Sequence, residues 1–271
     1  MVKRITALAR LIVLDGLRRH ALIGLILFAL AGVTSGLLFF NFIPRDIGRA
    51  SNDFLFSIIW LTGFVFLLFH AVQIMAWDNE RGVLHSYLAR PISRTEYSLG
   101  IFAGLAFLLL LLNCILGTMG WLLLNFIKGS VAEVYFQHLS FPFYLLALLG
   151  LYWIQLMILA VILLISSAVR GSFPVLLLSL CYYFICFGLP VVRESVKQKI
   201  SSDSNQFLDT ILKWLTAVFP DFSWLDFKTL IASNDTVPAL PQLALPFFLA
   251  TMYMIIVLWL ACIIYKRRDL Q

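Results

Sequence analysis

Residues 78–100 read DNERGVLHSYLARPISRTEYSLG, a polar island between two long apolar runs. Asp78, Glu80, Arg81, His85, Arg90, Arg94 and Glu96 all carry or can carry charge, whereas the runs on either side hold no Asp, Glu, Lys or Arg. Val83, Leu84, Tyr87 and Leu88 fall at i, i+1, i+4 and i+5, which puts them on one side of a short helix. Pro91 stops that helix, because it has no N–H and its ring clashes with the preceding turn. Ser93 then stands three residues before Glu96, the capping-box spacing that starts a new helix. The island therefore reads as helix, break, helix, with an apolar knob and a basic corner at Arg90 and Arg94. Such a knob either rests on lipid headgroups or fits a groove in a soluble partner. The pattern alone does not choose between the two.

The runs around the island set the fold class. The chain is 62% hydrophobic and only 13% charged, about half the charge of a soluble domain. Its apolar residues are gathered into uncharged runs long enough to cross roughly 30 Å of hydrocarbon. Six spans are expected, at about 21–43, 54–77, 99–127, 141–169, 173–192 and 243–265. The chain is thus an all-α polytopic membrane protein with one domain over residues 1–271. Residues 1–20 carry Lys3, Arg4, Arg10, Arg18 and Arg19 beside an apolar stripe of Ile5, Leu8 and Ile12. They predict an amphipathic helix lying on the membrane surface, against lipid. Ala29-Leu30-Ala31 mimics a signal cleavage site, but the apolar run continues to Ile43, too long for a signal core.

Six spans place both ends of the chain on one side. With that side cytoplasmic, its segments hold twelve basic and five acidic residues, against eight and nine in the opposite set. The tail Lys266-Arg267-Arg268 weighs most, and the expectation is N-in and C-in. The net charge of +6 is therefore a membrane signature, and nucleic acid is not an expected partner. The stretch 193–242 then lies outside. Phe207, Leu208, Ile211, Leu212, Leu215, Val218 and Phe219 share one side of a helix that Pro220 ends, and Ser223 precedes Asp226 at capping-box spacing. Such helices lie flat in the interface or pack on the spans as a lid. Pro246 suits the last span if it sits in the first helical turn.

Reactive chemistry is sparse. No G-x-x-x-x-G-K-[ST] loop exists, so this chain does not itself cradle nucleotide phosphates. The spans lack the ionisable groups that coupled carriers place near the midplane. His70 is the only histidine within a run, has Gln73 nearby, and reads as an interhelical hydrogen-bonding group. Cys114, Cys181, Cys186 and Cys262 all lie in apolar runs, without metal-ligand spacing. No catalytic or metal site is expected. Gly32-x-x-x-Gly36 and Gly100-x-x-x-Gly104 permit close helix approach, and Gly188 with Pro190 marks a candidate kink.

Glu80, Gly82, Leu88, Arg90-Pro91, Ser93-Arg94, Glu96-Tyr97 and Gly100 together resemble the cytoplasmic loop of type-2 ATP-binding-cassette (ABC) permeases, closest to the copper-enzyme maturation and nitrous-oxide-reductase accessory group. The resemblance is specific over this loop and loose elsewhere, resting there on span number and loop sizes. Val83 and Ile101 depart from the family, which often has Thr and Lys there, and these departures bear on subfamily and substrate. The resemblance implies that residues 78–98 hold a coupling helix docked in a separate ATPase. Glu80, Gly82, Val83, Leu84, Tyr87, Leu88, Arg90, Pro91 and Arg94 would make that contact. It also implies a cytoplasmic elbow helix at 1–20, two ATPase subunits holding ATP and Mg, and a homodimer whose boundary includes the first span with Gly32 and Gly36. The chain would then be no enzyme itself but the permease of an exporter in a bacterial inner membrane. Alternatives are a non-transporting anchor that couples an ATPase to an external partner at 193–242, and an intramembrane enzyme using His70.

Overall fold

The computed structural model describes residues 2–18, 21–40, 47–75, 93–130, 140–169, 171–199, 219–228, 231 and 240–267. Among these there is no strand. In chain order, α1 is Val2–Arg18, α2 is Ala21–Phe40, and α3 runs from Ile47 through a π-helical turn, Phe66–Ala71, to Met75. Next come α4 (Arg94–Ser130), α5 (Phe141–Ala168) and α6 (Ser172–Lys199). A 3₁₀ turn at Phe222–Leu225 precedes α7, Leu240–Arg267. Five helices, α3 to α7, are long and apolar enough to cross a membrane. At 37 residues α4 is about 55 Å long, well beyond one bilayer core.

The bundle is built around α5. All residues from Ile154 to Leu163 are buried, so no side of its middle faces outward. In a membrane, lipid is as apolar as leucine, so helices associate through close packing and hydrogen bonds rather than expulsion of water. The sequence supplies both. Gly117 and Gly120 on α4 leave room for Leu148 and Tyr144 of α5. Two tyrosines of α5 donate to α4 backbone carbonyls, Tyr144 to Gly117 at 2.7 Å and Tyr152 to Ala106 at 3.1 Å. On its other flank α5 meets α7, where Trp153 donates to the Thr251 hydroxyl at 3.1 Å and stands edge-on to Phe247. The connection from α5 to α6 is short, and Gly171 makes it at φ 104°, a left-handed conformation that favours glycine.

Several expectations change here. The N-terminal helix does not lie apart as a surface helix. It runs alongside α4 in the same direction, Leu8 against Gly100, Ile12 against Gly104 and Gly16 against Leu108. Those three contacts keep one spacing of four residues on both helices, which is why a stripe of Leu8 and Ile12 finds a glycine stripe. Lys3, Arg4, Arg10 and Arg18 stay exposed. The expected fifth span, 173–192, matches the apolar segment Ser172–Val192, but the helix that carries it, α6, continues past Pro190 to Lys199. Pro246 lies well inside α7, not in its first turn, since that helix already begins at Leu240.

The outer segment also differs in detail. The amphipathic stretch from Phe207 to Val218 lies outside the described residues. Beyond it, Ser223 and Asp226 do not form the expected capping box. Asp221 is the cap instead, its carboxylate accepting from the Ser223 N–H at 2.9 Å and the Ser223 hydroxyl at 2.6 Å. The nearer carboxylate follows Pro220 directly and closes a single 3₁₀ turn, so no longer helix needs the Ser223 side chain. Phe222, Leu225 and Phe227 are buried on the bundle, and Asn52 of α3 donates to the Lys228 carbonyl at 3.4 Å. For residues 219–228, of the two arrangements open to the sequence, the lid on the spans is the one adopted.

Candidate functional site

Glu80, Gly82, Val83, Leu84, Tyr87, Leu88, Arg90 and Pro91 lie outside the described residues. The last residue of the expected docking set, Arg94, is described, and so is the point where the stretch joins the bundle. There the capping box forms as its spacing predicts. The Ser93 N–H donates to the Glu96 carboxylate at 3.0 Å, and the Glu96 N–H donates to the Ser93 hydroxyl at 3.2 Å. A cap of this kind satisfies two N–H groups that the helix itself leaves unpartnered.

The same carboxylate is shared. Arg4 of α1 approaches Glu96 at 3.7 Å, and Glu96 is only 6% exposed. The cap precedes the apolar run that begins at Leu99. The backbone hydrogen bond from Ser93 holds the Glu96 carboxyl below the usual carboxylate range, against the opposing cost of burial, with the Ser93 hydroxyl and Arg4 adding to it. A depressed pKa means that the charged cap contributes at neutral pH and is lost as pH falls through the carboxylate's own range in the fold. Next to it, Arg94 donates to the Lys266 carbonyl at 3.3 Å, near the C-terminal end of α7. Tyr97 and Tyr265 pack at 6.3 Å between ring centres. One short stretch, Ser93–Tyr97, thus ties the start of α4 to the beginning of α1 and the end of α7. Helices α1 and α7 therefore meet at the start of α4.

Gly32 and Gly36 are engaged within the chain. A Cβ on Gly32 would stand 3.3 Å from Ile58, and one on Gly36 would strike the Phe54 ring, both on α3. The close approach these glycines allow is the packing of α2 on α3. Gly100 and Gly104 are likewise filled by α1.

His70 is buried in the π-helical turn of α3, 5.1 Å from the Phe66 ring and against Gly16 of α1. An extra residue in a helical turn re-aims the side chains it carries, and here it turns His70 towards α1. No group of three or more metal-ligating side chains occurs among the described residues. The four cysteines are free.

Sequence reading missed a pair of buried amides. Asn113 of α4 donates to Gln155 of α5 at 2.7 Å, and also to the Leu109 carbonyl at 2.9 Å. They are 3% and 0% exposed, and Gly63 of α3 lies directly against the Gln155 amide. Among the described residues, Asn113 Oδ1 and Gln155 Nε2 have no hydrogen-bond partner. An amide near the middle of each of two apolar runs was the available signal. The pair pins α3, α4 and α5 together at one level. Asn113→Leu and Gln155→Met should each destabilise the purified protein, and the double variant should cost less than the sum by about 0.5–1.5 kcal/mol. Unfolding in mixed detergent measures this, and strict additivity would show that the amides act independently.

No protein-family model matches this chain, and no curated protein matches it either.

Proposed function

We propose that this chain is the membrane subunit of an ABC transporter, an exporter whose energy comes from a separate ATPase docked on residues 78–100. The observation that carries the reading is the junction at Ser93–Tyr97. A loop able to move a bundle must be fastened to it, and this root holds α1 through Glu96 and Arg4, α7 through Arg94, and α4 through its own cap. Force applied to residues 78–92 would reach three helices at once. The ATPase, its ATP and Mg, and the pairing of two copies come from the family resemblance of the loop. With Gly32 and Gly36 occupied, pairing would fall to the exposed faces of α2 and α6, at residues such as Leu27 and Ile185.

In this reading α2, twenty residues and about 30 Å long, is the first of six spans. Both termini are cytoplasmic, in a bacterial inner membrane. A second reading, an anchor that transmits ATPase movement to an external partner, draws on the seating of residues 222–228 directly on α5. The two share the ATPase and differ in whether solute moves.

The test joins topology to partnership. A reporter fused after Gln271 should be active only in the cytoplasm, and one inserted near Ser202 only outside. The chain purified from native membranes should carry a Walker-motif ATPase in one-to-one ratio. An external C-terminus, or a chain that purifies folded without an ATPase under conditions that preserve such pairs, overturns the proposal. Uptake into inverted vesicles then separates export from anchoring.

A further inference from the structure

A cavity of about 330 Å³ lies between α3, α5 and α6, under the 3₁₀ turn. That is at the lower end of the range for small-molecule sites. Its floor is apolar, with Leu151 and Ile154 of α5. One wall is aromatic and held in place: Trp60 donates to the Tyr183 hydroxyl at 3.3 Å, and Tyr183 stacks on Phe187 at 5.8 Å between centres. Such a wall meets an apolar ligand with little ordering cost. Phe187 is 62% exposed, so this wall continues onto the outer apolar face of α6 with Phe184 and Val191.

The rim has the opposite character. Ser57 and Ser223 face it, and Asp226 and Lys228 form a part-exposed ion pair at 3.3 Å. Trp224, 53% exposed beside them, has the amphipathic ring that gathers at membrane–water boundaries. The cavity therefore runs from apolar depth to a dipolar mouth, with one flank on the face that α6 would turn to lipid.

We propose that this cavity binds a single-chain zwitterionic amphiphile of the lysophospholipid type, drawn from the bilayer. Its chain occupies the space among Trp60, Leu151 and Ile154. Its head lies at the rim, the ammonium towards Asp226 and the phosphate towards Lys228. The volume suits part of one chain rather than the two of an ordinary phospholipid. Charge complementarity at the rim selects a head with both signs, which a fatty acid lacks. Binding belongs to this chain alone and does not depend on an ATPase.

The experiment uses the full chain in phosphatidylcholine nanodiscs with lysophosphatidylethanolamine carrying a diazirine on its chain. After photolysis, adducts should concentrate on Trp60, Tyr183 or Phe187, and unlabelled lysophosphatidylethanolamine should compete where a fatty acid of equal length does not. Ala147→Phe, which fills the cavity, should abolish these adducts. Asp226→Asn combined with Lys228→Gln, at the part-exposed rim, should weaken competition by about tenfold, the scale of one charge-assisted hydrogen bond. If Ala147→Phe does not fold, the rim variant decides. Adducts spread equally over Phe248, Ile255 and Trp259 on the exposed side of α7 would mean ordinary contact with bulk lipid and overturn the proposal. Labelling unchanged by the rim variant would do the same.

Discussion

Leu84→Lys or Leu88→Lys is expected to leave membrane insertion intact, release the ATPase on purification and abolish substrate-linked ATP turnover. The reasoning separates the two occupants that the apolar knob permits. In the groove of a protein partner, a central lysine loses its water and finds no counter-charge, a cost of several kcal/mol that a docking contact does not survive. On lipid headgroups the same lysine is tolerated, and anionic lipid even favours it by about 1 kcal/mol. The opposite outcomes make this the sharpest test of the transporter reading. Glu80→Ala and Arg94→Ala should weaken the complex only partly, since rim charges govern encounter more than grip. Arg94 has a further contact to lose, its bond to the α7 carbonyl, so its variant should also loosen the end of that helix. Wild-type recovery of the ATPase with Leu84→Lys would end the docking claim.

Gly150→Ala should unseat the lid. The added Cβ would fall on the Leu225 carbonyl oxygen and stand 2.9 Å from the Phe227 ring. A flexible side chain could swing away, but a backbone carbonyl moves only with its segment. Overpacking of this kind costs about 1–3 kcal/mol. Since α5 is otherwise fixed by Tyr144, Tyr152 and Trp153, the strain should be released by residues 219–228. Hydrogen exchange at Phe222–Phe227 should quicken by about tenfold or more, while the interior of α5 keeps its protection. Unchanged protection of that segment would show that the lid is not held by this contact.

Much of this architecture is legible in the sequence because its signals are local. Uncharged runs announce helices, and the Ser93–Glu96 spacing announces the start of α4 to the residue. What the sequence hides is pairing. Gly32 and Gly36 advertise close approach but not the partner, which proves to be α3 of the same chain. The stripe of Leu8 and Ile12 fits a lipid surface as well as a glycine-lined helix, and only the far-off Gly100 and Gly104 decide. Pro190 reads as a candidate kink and Pro246 as a first-turn residue, yet both lie inside longer helices. Asn113 and Gln155 are each unremarkable in their own run and become a site only when α4 meets α5. The cavity is subject to the same limit, since its walls come from three helices and a turn spread over more than half the chain.

The seating of α1 on α4 also sets an order of events during synthesis. Leu8 leaves the ribosome long before Gly100, its seat. At about 5–20 residues per second the helix waits roughly 5–20 s for it. In that interval its basic residues and leucines can rest on the membrane surface, where anionic headgroups would hold it. The surface-bound helix and the packed helix are then successive states of one segment, separated by the arrival of α4. A nascent chain stalled before residue 94 would carry its first helix in the headgroup layer, and one stalled beyond residue 130 would have drawn it against the bundle.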